Sequence, residues 1–208
     1  MAPSGYYDSP WPCEDAGPSR LQTPHTSHCL DLQPGMKLAC TSKRTQMSTM
    51  TVLGASGEVF LLTHSVLRSY LGIATTAQVS RIDPITLETL ESSPRLEGGP
   101  MWPGGMAVHA NGDIIVVYGR YAHKLNRQCK LIASFLLPVN EAYNSFVVLD
   151  NGLIVTKNLS DTTPAQLTTL HPDSFRVASS DVMCPEASIA RLSAHGNTVY
   201  VVGVSRVF

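Results

Sequence analysis

Charge is scarce in this chain. Of 208 residues only 15% are Asp, Glu, Lys or Arg, against about 25% in ordinary soluble domains, and the 15 basic and 16 acidic residues nearly cancel. No basic patch stands out along the sequence, which argues against a nucleic-acid partner. No run approaches the ~18 apolar residues of a membrane-spanning helix, so no membrane partner is expected. The opening stretch MAPSGYYDSPWPCEDAGPSR lacks the basic start and apolar centre of a secretory signal, and the expected location is cytoplasmic. Cysteine is thin and unpatterned. Cys13, Cys29, Cys40, Cys129 and Cys184 make an odd set without CxxC spacing, which points to free thiols in a reducing compartment rather than a zinc site.

Several catalytic signatures are missing too. The Gly-rich stretch GGPMWPGGM has no Lys-Ser/Thr ending and no following helix, so neither a Walker A loop nor a dinucleotide-binding turn is present. LGASGEV falls one residue short of the GxSxG nucleophile pattern and suits a hairpin turn better. The histidines at 64, 109, 123, 171 and 195 follow no HExxH-type spacing.

What is present is apolar and periodic, with 43% hydrophobic residues. GGMAVHANGDIIVVYG reads as a strand, a tight turn and a strand. The same shape recurs in TMTVLGASGEVFLLT, YNSFVVLDNGLIVTKN and SIARLSAHGNTVYVVG. The turn glycines Gly57, Gly112, Gly152 and Gly196 are spaced by 55, 40 and 44 residues. A period of about 40–50 residues in all-β texture marks propeller blades. Asn-Gly and Ser-Gly pairs tolerate the positive φ of a tight hairpin, and the flanking Val, Ile, Phe and Tyr suit strands buried on both faces.

Two further strands fit each unit. They are TAQVSRIDP with TLETLESSP, YAHKLNRQ with KLIASFLLP, and AQLTTLHPD with SFRVASSDV. Ser65 to Ile73 has some helical spacing but also suits a strand, and as an insertion it explains the long first interval. The expected fold is therefore an all-β propeller of four-stranded antiparallel blades, about three and a half of them present. A small sandwich is the structural rival. Residues 1–48 read as an irregular Pro/Ser/Thr-rich lead-in and 49–208 as a partial β-propeller domain.

The repeats, with VSRIDPITLETL, WPGGMAVHANGDIIVVYG and YNSFVVLDNGLIVTKN, resemble the six-bladed calcium-dependent phosphotriesterase superfamily. That group includes the senescence marker protein/gluconolactonase and strictosidine-synthase-like families. The resemblance implies a longer propeller and a channel calcium, or another divalent cation, held by a Glu and Asn/Asp residues from different blades. The positions that match are Asn144 in EAYNSFVVL and Glu186 in CPEASIARL, each just ahead of an inner strand. Met106 takes the comparable place in GGMAVHA and offers no oxygen. Two ligands alone fall short of the six to eight oxygens that calcium takes.

On this reading His123 is the candidate base and Trp102 a ligand contact in the channel-mouth loop. The activity implied is metal-assisted hydrolysis of small esters or lactones. The alternative is a non-catalytic propeller fragment serving as a binding or interaction scaffold, because this fold hosts hydrolases, lyases and binding proteins alike. The expected partner is a small-molecule ligand, or a protein that completes the ring.

Overall fold

The structure, a computed structural model, describes residues 5–23, 33–37, 39–45, 47–100 and 104–208. The first blade runs through β1 (Ser48–Leu53), β2 (Val59–His64) and β3 (Thr75–Ile82), with a short helix α1 (Val66–Tyr70) between β2 and β3. Its outer strand is in two pieces, β4 (Thr89–Ser92) and β5 (Leu96–Gly99), both paired with β3. The break lies at Ser93-Pro94, where the Ser93 hydroxyl accepts a hydrogen bond from the Val79 amide. The second blade comprises β6 (Gly105–Val108), β7 (Ile114–Tyr118), β8 (Tyr121–Leu125) and β9 (Leu131–Leu136). The third comprises β10 (Tyr143–Val148), β11 (Ile154–Asn158), β12 (Leu167–Leu170) and β13 (Val177–Ser179). A fourth unit holds only β14 (Ser193–His195) and β15 (Thr198–Tyr200). Strands pair antiparallel in simple meander order within each sheet, and among the described residues the sheets form no closed ring.

The all-β blade architecture expected from the repeats is thus present. All four turn glycines sit in the left-handed region, at φ +81° (Gly57), +90° (Gly112), +83° (Gly152) and +60° (Gly196). The outer hairpins carry a second repeated device. Leu87, Cys129 and Phe175 occupy the same place in successive blades, each at positive φ (+59°, +58°, +51°), and each hairpin has a register shift alongside. A non-glycine residue there costs about 1 kcal/mol. Cys129 and Phe175 offset it by burying their side chains. The helix α1 resolves the ambiguity of residues 65–73 and accounts for the longer first interval.

The core lies between blades rather than within them. Successive side chains on a strand point to opposite faces. In β7, Ile114, Val116 and Tyr118 pack on Val52, Phe60, Leu62 and Val79 of the first blade. Ile115 and Val117 of the same strand pack on Phe146, Val148 and Ile154 of the third. Both β7 and β11 are therefore buried along their whole length, which is why their sequences read as unbroken apolar or buried runs. Each such large side chain contributes roughly 1.5–3 kcal/mol. Val147, Leu149 and Val155 meet Leu192, Ala194 and Val201 of the fourth unit in a third cluster.

Lysine clamps two of the blades from the side. The Lys124 ammonium donates to the carbonyls of Pro172 and Asp173 at 2.9 Å each, with Asp113 at 3.7 Å. This ties β8 to the outer hairpin of the next blade.

Candidate functional site

The inner strand of each blade leaves one edge without a neighbouring strand, and exposed edges of that kind invite pairing. Residues 5–23 supply the partners. The Tyr7 amide donates to the Val108 carbonyl, while the Val108 amide donates to Pro12 and that of Ala110 to Gly5. The Leu53 amide of β1 donates to the Trp11 carbonyl, and the Ala194 amide of β14 to that of Pro18. The buried Tyr6 hydroxyl accepts from the Val148 amide of β10 at 2.8 Å. One short segment thus satisfies backbone groups on the inner strands of all four units.

Its acidic turn is locked as well. Arg20 pairs with Glu14 at 3.0 Å and with Asp15 at 3.1 Å, and Arg191 also pairs with Glu14. Burial pushes the Cys13 thiol up to about 12. The gap left between this segment and the inner strands, bounded by Tyr6, Cys13, Met106 and Phe146, measures about 10 Å³. That is at most one water molecule and far below a substrate.

The residues singled out in the sequence fall in separate places. His123 lies in β8 at 1% exposure. Its ring meets Ser134 Oγ at 2.8 Å and the Glu97 carbonyl at 2.7 Å, and stacks on Tyr121. Burial lowers its pKa, against the hydrogen bond to Glu97. Asn144 belongs to β10, and its side chain is outside the described part of the structure. Glu186 sits in the connection between β13 and β14 and closes a turn of the fourth unit. Its carboxylate accepts from the Ser205 hydroxyl and amide and from Arg206 Nε. The Ser205 hydroxyl foremost, with its amide, holds that carboxyl down at about 2. Trp102 lies outside the described residues. Met106 is buried between the first two blades. Among the described residues no three His, Cys, Asp or Glu side chains gather as metal ligands would.

A different feature is open and chemically distinctive. A cavity of about 370 Å³ lies on the face of the first blade that no other sheet covers among the described residues. Alternation along β2 and β3 places Leu61, Thr63, Gln78 and Ser80 on that face while Phe60, Leu62 and Val79 point the other way. Lys43, Arg44 and Arg95 also line it, all exposed, and no carboxylate does. None of the three cations has an ion-pair partner among the described residues. His64 also borders it, but by the same alternation its side chain shares the buried face of Phe60 and Leu62, towards Tyr118 of the second blade. It is 3% exposed, and among the described residues neither ring nitrogen has a hydrogen-bond partner. Its ring centroid is 5.8 Å from that of Tyr118, and burial lowers its pKa.

No family model and no curated protein matches the chain. Among solved structures it is similar to a protein of unknown function from Bacteroides caccae, with a TM-score of 0.46 at 14% identity. The match covers 74% of this chain and 55% of that one. The chain thus spans about half the length of that relative. The six-bladed superfamily named from blade texture accordingly stands as a likeness of strand pattern. Among the described residues no helix is long and apolar enough to cross a membrane.

Sequence reading passed over the cavity for a definable reason. Lys43-Arg44 is a lone basic pair and Arg95 stands about fifty residues further on, so no patch shows in one dimension. The available signal was the row of polar residues at alternate positions, Thr76, Gln78 and Ser80, with apolar Ala77 and Val79 between them.

Proposed function

We propose that this chain is a non-catalytic propeller-type binding scaffold, with contacts made on the blade faces rather than at the axis. The observation that carries this reading is the filling of the axis by residues 5–23, which use the inner-strand backbone groups and leave about 10 Å³. A channel hydrolase needs an open axis and oxygen ligands free to turn towards it. Glu186 spends both carboxylate oxygens on Ser205 and Arg206, and both His123 nitrogens are engaged within or beside the second blade.

Thermal melting under a calcium titration tests the reading, because a ligand that binds the folded state raises the melting temperature with its concentration. The scaffold predicts no rise at millimolar calcium and no hydrolysis of small lactones or esters above background. A calcium-dependent rise that Glu186→Gln abolishes overturns it.

A further inference from the structure

We propose that the cavity on the open face of the first blade binds a small phosphorylated molecule, the phosphate being held by Lys43, Arg44 and Arg95. The proposal deepens the scaffold reading and rests on it for its place on a blade face.

Charge is the first argument. Three cations line one cavity without a carboxylate among its walls, although acidic residues slightly outnumber basic ones in the chain as a whole. Like charges gathered without a counter-charge repel one another, and an anion relieves that repulsion. A phosphate monoester carries about −1.5 to −2 at neutral pH, which matches this wall better than the single charge of a monocarboxylate. The guanidinium groups of Arg44 and Arg95 can each present two parallel N–H donors to phosphate oxygens.

Hydrogen bonding is the second. Thr63, Gln78 and Ser80 add polar groups to the wall. Thr63 and Gln78 donate to backbone carbonyls and Ser80 bonds Ser92, which leaves the Thr63 hydroxyl and Gln78 amide oxygens as acceptors for a polyhydroxylated body attached to the phosphate. Size agrees as well, since about 370 Å³ lies in the range of small-molecule sites and exceeds what a bare ion fills.

The test is calorimetric titration together with thermal melting, using glucose 6-phosphate, inorganic phosphate, malate and glucose as probes. Glucose 6-phosphate is expected to bind and to raise the melting temperature with concentration, inorganic phosphate to do so more weakly, and glucose not at all. Arg44→Glu and Arg95→Glu should each weaken binding about tenfold or more, given the strength of charge-assisted hydrogen bonds. Both residues are exposed, so the fold should tolerate the changes. Arg176→Glu, on the exposed outer turn of the third blade, makes the same change in net charge and should leave affinity unaltered.

The proposal is overturned if no phosphate probe binds, if malate binds while the phosphates do not, or if Arg176→Glu weakens binding as much as the cavity variants. A calcium titration in the same melt separates the two readings. Failure of phosphate with no calcium response removes the anion site and leaves the scaffold, whereas a calcium response removes the scaffold.

Discussion

Lys157 offers a direct measurement of what this fold tolerates in its core. It lies in β11 with 0% exposure, and its ammonium donates to the Ser188 carbonyl at 2.7 Å. No ion pair reaches it among the described residues, and burial lowers its pKa from 10.5 to about 8. That difference corresponds to ~3 kcal/mol of penalty on the charged form. Below pH 8 both folded and unfolded chains carry the proton, so the penalty is fully present. Between pH 8 and 10.5 the unfolded chain holds more protons than the folded one, and stability must rise with pH.

Lys157→Met removes the charge with little change of volume and forfeits one hydrogen bond, at a cost of about 1–2 kcal/mol. The variant should be more stable than the parent by roughly 1–2 kcal/mol at pH 7. It should lose that advantage by about pH 10. Cys13 and Cys129, pushed up to about 12 and about 11 by burial, act in the opposite sense above pH 9, where unfolded thiols ionise first. They act equally in both proteins, so the difference between parent and variant isolates the lysine. Urea denaturation of both at pH 7, 8, 9 and 10 gives that difference directly. Parallel stability curves across this range would refute the reasoning.

Four further outcomes are expected. Gly119→Ala should destabilise by ~3 kcal/mol or more, because its φ is +58° and an added Cβ would stand 2.0 Å from the Gly98 carbonyl oxygen. Gly57→Ala, at φ +81° with open space around it, should cost only about 1 kcal/mol in the same denaturation assay. Tyr6→Phe leaves the Val148 amide without its acceptor and should cost about 1–3 kcal/mol, while Tyr7→Phe, which removes a hydroxyl not used in this way, serves as the comparison. In thiol labelling of the native protein at pH 8, exposed Cys40 should react quickly and buried Cys13 and Cys129 slowly. Rapid labelling of Cys13 would show that residues 5–23 do not stay seated on the inner strands.

Much of the fold was legible because it is written locally. Each inner hairpin announces itself by an Asn-Gly, Ser-Gly or His-Gly turn between apolar runs, and the positive φ that such turns require is a property of the glycine itself. The outer turns at Asp83-Pro84, Asn126 and His171-Pro172 follow the same logic. The strained residues that close them are harder to read. Leu87, Cys129 and Phe175 have no intrinsic preference for the left-handed region, and only the recurring register shift places them there. The short helix Val66–Tyr70 was ambiguous because five residues are too few for periodicity to separate helix from strand.

The candidate sites were less legible, for a geometric reason. Ranking Asn144 and Glu186 by their place just ahead of inner strands assumes that the axis is free. Nothing in the composition of residues 5–23 says that their carbonyls and amides meet β1, β6 and β14, or that the Tyr6 hydroxyl meets β10, since backbone groups leave no mark on a sequence. Glu186 likewise reads as an available carboxylate until Ser205 and Arg206 fold back onto it.

Spacing and turn chemistry along the chain were therefore sufficient for the repeat, the strand order and the number of units, because these depend on contacts between neighbours in sequence. The filled axis, and the three cations around the first-blade cavity that have no ion-pair partner among the described residues, were settled only in three dimensions. They depend on which distant segments share a face, and on which charges are left with no opposite charge to meet.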